Sequence, residues 1–114
     1  MEVRAVAKYI RMSPYKVKLV ADAVRGMGVE EALAKLRFTT RAAARPVAKL
    51  IESAAANAEE NYGLSRDELY IASITADEGP TLKRFRFGAR GRVKPILKRS
   101  SHITVILGSR AETE

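Results

Sequence analysis

Residues 79–102 carry eight lysine and arginine side chains and not one aspartate or glutamate. The whole chain has 21 Lys and Arg against 13 Asp and Glu, so the two signs balance outside this segment. Unpaired cations are too costly to bury for this stretch to join a hydrophobic core. The segment is therefore expected to protrude from the folded chain and to become ordered against an anionic partner.

The basic segment has the pattern of a β-hairpin. Gly88 and Gly91 bracket a turn, and a turn centred on Arg90 with no bulge fixes which residues face each other. A slip of one residue would exchange the two faces. A two-stranded ribbon in which cations face one another is marginal in water. The predicted pairs are Phe87 with Val93, Phe85 with Pro95, Lys83 with Leu97, Arg86 with Lys94, Arg84 with Ile96 and Leu82 with Lys98.

Three further segments are predicted to be strands, the first because its residues alternate between two faces and the other two because their composition is β-like. They are residues 3–10, residues 69–76 and residues 102–108. One face is predicted to carry Val3, Ala5, Ala7 and Tyr9 in the first segment, and Ile103, Val105 and Leu107 in the last.

Two short helices are predicted after the first strand. One starts with Ser13 as N-cap and Pro14 at the first helical position, and it stops at Gly26. Its stripe is Val17, Val20, Ala21 and Val24. The other covers "VEEALAKLRF", with two glutamates in the first turn, where the helix dipole favours them.

A long third helix is predicted from a cap at Thr39 or Thr40 to a stop at Gly63. Pro46 either kinks this helix or marks a later start. The predicted fold is α+β: a small antiparallel three-stranded sheet packed against three helices, with a long protruding basic β-hairpin. We expect a single domain over residues 1–114, with a body of residues 1–78 and 102–110, a hairpin of residues 79–101 and a short tail of residues 109–114.

The sequence pI of 10.1 indicates a polyanionic partner. No apolar run approaches the ~18–20 residues that span a bilayer, and Gly88, Gly91 and Pro95 break any amphipathic surface helix, so no membrane partner is expected. Nucleic acid fits best, because arginine presents fork-shaped donors to phosphate. Phe85 and Phe87 either stack on unpaired bases or pack across the hairpin's own strands. A flexible solvated charge run is the remaining alternative.

Catalytic chemistry is not indicated. The chain has no cysteine and a single histidine, His102, for which a structural or RNA-contacting role is favoured over general base. The adjacent acids Asp77-Glu78 and Glu59-Glu60 diverge on a strand or a helix, so neither forms a paired-acid site. We expect no enzyme activity, no cofactor and no metal site.

Five motifs, in order and at fitting distances, resemble the L-twenty-two family of large-subunit ribosomal proteins, bacterial type. They are "AVAKYIRMSPYKVKLVAD", "IESAAANAEEN", "DEGPTLKR", "ARGR" and "KRSSHITVIL". The resemblance covers nearly all of residues 1–108. It implies a cytoplasmic protein of the large ribosomal subunit, monomeric within the ribosome, that binds ribosomal RNA, contacts neighbouring ribosomal proteins and aids assembly. The hairpin is implied to line the nascent-peptide exit tunnel, with its tip near the nascent peptide.

The expected RNA-binding residues combine this resemblance with the charge pattern. The family usually has Pro-Arg at the tip where this chain has Phe87-Gly88, and an Ala-Asp-type stretch where it has Val93, Lys94 and Pro95. A free RNA- or DNA-binding regulator using the same basic arm is the alternative function. The expected residues are Lys8, Arg11, Ser13, Lys16, Lys18, Lys83, Arg84, Arg86, Arg90, Arg92, Lys94, Lys98, Arg99 and His102.

Overall fold

The computed structural model describes residues 2–87, 91 and 93–109, and for residues 2, 82–87 and 93–97 it describes the backbone only. The fold is α+β, as the sequence predicts. The elements run in the order β1 (Glu2–Ile10), α1 (Pro14–Val24), α2 (Val29–Arg37), α3 (Ala44–Tyr62), a 3-10 turn (Arg66–Glu68), β2 (Leu69–Glu78), β3 (Leu82–Phe87), β4 (Val93–Lys98) and β5 (Ser101–Ser109).

A three-stranded antiparallel sheet has the strand order β1-β5-β2. Helix α3 packs on β1 and β5, α1 packs on β2, and α2 packs on α3. The face of β5 with Ile103, Val105 and Leu107 is fully buried, as predicted. The sheet is therefore covered by helices on one face, and the core lies between the two layers.

The buried stripes of the helices follow their apolar spacing. The four predicted positions of α1 are all buried. Helix α3 buries Ala54, Ala55 and Ala58 at one end of its stripe. Because alanine has a short side chain, the backbone of α3 lies close to the strands beneath it.

Helix α3 begins later than the Thr39 or Thr40 cap that the sequence suggests. Its N-cap is Ala43, and Pro46 lies in the first turn, where its missing N–H removes no helical hydrogen bond. The hydroxyl of Thr39 instead donates to the Lys35 carbonyl oxygen, at 2.8 Å, and so closes α2. The cap prediction was wrong, and the later start was the correct one of the two interpretations of Pro46. Gly63 ends the helix in the left-handed conformation.

The alternation predicted for the first strand fails at its end. The β1–β5 pairing shifts register between Ala7 and Ile10, and Tyr9 has a φ of +60°. The irregularity turns Tyr9 outward, with 64% of it exposed, while Ile10 packs against the core. Val3 is buried as predicted, but Tyr9 does not share its environment.

The basic segment forms a second, two-stranded sheet of β3 and β4. Its Cα register matches the six predicted pairs, from Leu82 opposite Lys98 to Phe87 opposite Val93. The radius of gyration is 17.3 Å, against ~13 Å for a compact chain of this length. The principal-axis extents of 66 × 25 × 20 Å show the same elongation.

Within the described ranges, no helix combines the length and the apolar character needed to cross a membrane.

Candidate nucleic-acid interface

The root of the hairpin is fixed by two hydrogen bonds that join the segment before β3 to the segment after β4. The Gly79 N–H donates to the Ser100 carbonyl oxygen at 3.0 Å. The Ser100 hydroxyl, in a buried residue, donates to the Pro80 carbonyl oxygen at 2.6 Å. A Cβ at position 79 would lie 2.7 Å from the Ser100 Oγ and 3.2 Å from Cε1 of His102, so only glycine fits without movement. These contacts fix where the hairpin leaves the sheet.

His102 contacts the irregular end of β1. The backbone N–H of Tyr9 donates to Nδ1 of His102 at 3.1 Å, and the two rings meet edge to face with centroids 5.0 Å apart. Since Nδ1 accepts this hydrogen bond, the neutral imidazole carries its proton on Nε2. The contact gives His102 a structural role and ties β1 to the root of the hairpin.

Arg11 lies at the centre of three adjoining depressions. The first depression is also lined by Tyr9, Pro80 and the two cations at the hairpin root, Lys98 and Arg99. The second is also lined by residues at the start of α1, and the third by residues of the segment before α3. We call the five cations around them, together with Ser13, the Arg11 surface. Its members are Arg11, Ser13, Lys16, Arg41, Lys98 and Arg99.

The five cations of the Arg11 surface are exposed. Among the residues described around the three depressions, none is aspartate or glutamate. The ion pairs found in the described part of the chain, Arg25–Asp22 and Arg66–Glu59, lie elsewhere. The Arg11 surface is therefore a concentrated positive field, which attracts polyanions.

Helices α1 and α3 both begin at this surface with an unusual charge distribution. Neither has an acidic residue in its first turn or a side-chain cap hydrogen bond. Lys16 lies in the first turn of α1 and Arg45 in that of α3. Cations at the positive end of a helix dipole are unfavourable, whereas phosphates there are favourable because the free N–H groups bind them. Helix α2 has the ordinary pattern, with Glu30 and Glu31 in its first turn.

The structure brings together five of the fourteen predicted RNA-binding residues: Arg11, Ser13, Lys16, Lys98 and Arg99. Lys8 and Lys18 are exposed on β1 and α1 but line none of the three depressions. His102 is half-buried in β5. Lys83, Arg84, Arg86 and Lys94 are placed by backbone register alone, and Arg90 and Arg92 lie outside the described residues.

Sequence reasoning missed a second row of cations on the helical face: Arg37, Arg41, Arg45 and Lys49, all exposed. Arg41 joins this row to the Arg11 surface. The spacing of four residues was the available signal. It was hidden because acids elsewhere balance the charge of the chain outside the hairpin.

In the described part of the chain, no group of three or more histidine, aspartate or glutamate side chains is arranged to hold a metal ion. The two pairs of adjacent acids lie in different elements. Asp77 and Glu78 end β2, and Glu59 and Glu60 lie in the last turns of α3.

Comparison with known proteins identifies the family. The model of the family described as Ribosomal protein L22p/L17e matches residues 5–108. A protein of Chloroflexus aggregans named Large ribosomal subunit protein uL22 is 53% identical over 112 residues, covering 98% of this chain and 99% of that protein. The protein of the same name from Clostridium novyi is 53% identical over 111 residues, covering 97% of this chain and all of that protein.

The similarity therefore extends through the body and the hairpin alike. It confirms the family that the five sequence motifs indicate. The chain belongs to the ribosomal protein L22p/L17e family.

Proposed function

We propose that this chain is a structural component of the large ribosomal subunit in the bacterial cytoplasm, where it binds ribosomal RNA through the Arg11 surface and the basic hairpin. Its relatives carry the name of a large-subunit protein over their whole length. The role is architectural rather than catalytic.

This proposal rests on the cations that surround Arg11. Cations from three separate places in the sequence, the hairpin root, the start of α1 and the segment before α3, adjoin one acid-free surface. Phosphate contacts by lysine and arginine supply most of the sequence-independent affinity for nucleic acid. A folded RNA that presents several strands matches a surface assembled from several elements.

The shape supports a role for the hairpin inside RNA. The long axis of 66 Å is more than twice either of the others. We propose that the hairpin passes between RNA helices and lines the nascent-peptide exit tunnel, with its tip near the nascent peptide. The body then lies against RNA and neighbouring ribosomal proteins as a single copy, and its binding aids subunit assembly.

The proposed RNA contacts comprise the fourteen residues expected from the sequence, with Arg41 added by the structure. His102 belongs to this set because of its position at the hairpin root. Its Nδ1 already accepts a hydrogen bond from the backbone N–H of Tyr9. No cofactor is needed for this function.

The experiment is co-sedimentation of the full chain with large-subunit ribosomal RNA across a salt series. The variant combines Lys98→Gln and Arg99→Gln. Each phosphate contact contributes about −0.7 to −0.9 to the log–log salt slope, so the variant should flatten it by one to two units.

The matched control removes two exposed cations outside the Arg11 surface, Arg4→Gln with Lys35→Gln, and should retain the wild-type slope. A slope equally flattened in both variants would mean that net charge alone acts, without a defined surface. A free regulator would bind a short RNA duplex as tightly as the ribosomal RNA in high salt, and that result would replace the proposed function by the alternative.

A further inference from the structure

A groove between α2 and α3 continues from the Arg11 surface on the helical side of the molecule. It encloses about 570 Å³. Its apolar floor is formed by Leu33, Leu36, Ala44 and Ala48. Arg41 lines both this groove and the third depression of the Arg11 surface, so the two adjoin at Arg41.

The groove is lined by four cations at intervals of four residues: Arg37 at the end of α2, Arg41 before α3, and Arg45 and Lys49 on α3. Arg45 and Lys49 are one turn apart on α3, so their Cα atoms are separated by ~6 Å along the helix axis. This interval is comparable to the distance between successive phosphates of a nucleic acid strand. Glu52 is the single acid among the described lining residues.

Phe38, the C-cap of α2, lies in sequence between Arg37 and Thr39, which both line the groove, so its backbone is at the margin of the groove. It is 83% exposed, more than any other large hydrophobic residue in the described part of the chain. Phenylalanine has no polar atom with which to bind water, and an exposed aromatic ring in a segment that also carries Arg37 and Arg41 has the composition of a base-stacking platform.

An unpaired RNA strand fits these features better than an acidic peptide or an RNA duplex does. A peptide carboxylate would satisfy the cations but would leave the face of Phe38 in water. A duplex keeps its bases stacked on each other, so an aromatic ring cannot reach their faces. A single strand offers both a backbone for the cations and a free base for the ring.

We propose that the α2–α3 groove binds an unpaired RNA segment, with phosphates on Arg41, Arg45 and Lys49 and one base stacked on Phe38. This contact is separate from the hairpin and extends the RNA footprint from the Arg11 surface over the helical face. It rests on the proposed function, because it assigns RNA as the partner of a second surface.

The test uses Phe38→Trp in the full chain. The chain contains no tryptophan, so indole emission, excited at wavelengths where its four tyrosines do not absorb, reports on position 38 alone. A short oligoadenylate should quench this emission saturably, because a stacked base quenches an indole. Phe38→Ala should weaken oligoadenylate binding to the groove about fivefold or more, as base–aromatic contacts generally do on truncation.

Matched variants separate the groove from other surfaces. Tyr62→Trp, at an exposed aromatic residue at the far end of α3, should show no quenching. In the Phe38→Trp background, Arg45→Gln with Lys49→Gln should raise the oligoadenylate concentration at half-quenching severalfold. Arg4→Gln with Lys35→Gln removes the same charge elsewhere and should leave that concentration unchanged.

Three results would overturn the inference. Oligoadenylate that binds the Phe38→Trp variant by fluorescence anisotropy without quenching its indole would place RNA elsewhere and leave the proposed function standing. Equal quenching by polyglutamate, or by the oligoadenylate–oligouridylate duplex, would assign the groove to a different partner. Absence of any RNA binding by anisotropy would remove the proposed function together with this inference.

Discussion

At the scale of single residues, the root of the hairpin depends on an unusual backbone conformation at Tyr9. A residue with a side chain costs about 1–2 kcal/mol in the left-handed region, and Tyr9 adopts it with a φ of +60°. The conformation directs the Tyr9 N–H to His102 and brings Ile10 to the core. Strain at this position is thus offset by the contacts that fix β1 to the hairpin root.

Replacing Tyr9 tests this account. Tyr9→Gly should be more stable to urea than Tyr9→Ala by about 1 kcal/mol, because glycine adopts positive φ without strain. Both variants remove the whole ring, so both lose the same edge-to-face contact with His102.

Val6, an exposed β1 residue before the irregularity, provides the control. There the order should reverse, since glycine weakens a regular strand. An alanine variant as stable as the glycine variant at position 9 would show that the left-handed conformation is not maintained in solution.

At the scale of secondary-structure elements, the charges of α1 and α3 oppose their dipoles while those of α2 follow its dipole. The free protein is destabilised by this arrangement, and a bound phosphate would remove the conflict. Stability of the free chain and affinity for RNA therefore conflict at the start of α1.

Lys16→Glu should separate these two properties. Lysine and glutamate have similar helix propensities, so the charge is the main change. The variant should gain about 0.3–1 kcal/mol of unfolding free energy at low salt and should bind ribosomal RNA more weakly, measured by urea denaturation and by co-sedimentation.

Glu30→Lys in α2 is the mirror control and should lose a similar stability without losing RNA affinity. A Lys16→Glu variant that is less stable than the wild type would contradict the dipole argument. One that binds RNA as well as the wild type would exclude Lys16 from the interface.

Most elements could be predicted from the sequence because their signals are local. The face of β5 and the hairpin register, predicted from a turn between two glycines in the sequence, both needed only neighbouring residues. The irregularity at Tyr9 could not be predicted, because it depends on His102, 93 positions away. The start of α3 was missed because Thr39 closes the preceding helix instead of opening the next.

The candidate interface was predictable only where charge is unbalanced in sequence. The hairpin cations stand out because no acid lies among them. Arg41 and Arg45 do not stand out, since Glu52, Glu59 and Glu60 follow them along α3. Only the packing of α2 on α3 brings Arg37 and Arg41 together with Arg45 and Lys49 around one groove, where Glu52 is the single acid among the described lining residues.

At the scale of the whole molecule, the excess positive charge of the chain lies in residues 79–102, whereas the described hydrophobic core lies largely outside this segment. The hydrophobic core of the described residues comes from β1, the three helices, β2, β5 and Ala43 before α3. The β3–β4 sheet pairs Arg86 with Lys94 across its strands, and like charges in that position are destabilising. Folding of the body is therefore expected not to need the hairpin.

Replacing residues 84–97 with a short glycine-containing turn tests that independence. The unfolding free energy should change by less than about 1 kcal/mol, because a two-stranded ribbon is marginal on its own.

The same variant loses five of the chain's cations, Arg84, Arg86, Arg90, Arg92 and Lys94. Its salt slope for ribosomal RNA should flatten by up to about four units, more than in the Lys98 and Arg99 variant.

Hydrogen exchange on the intact chain should show strong protection at residues 103–107 and little at residues 84–87 and 93–97. A large fall in melting temperature on removal of the hairpin, or strong protection of its strands without RNA, would mean that the hairpin is part of the stable body.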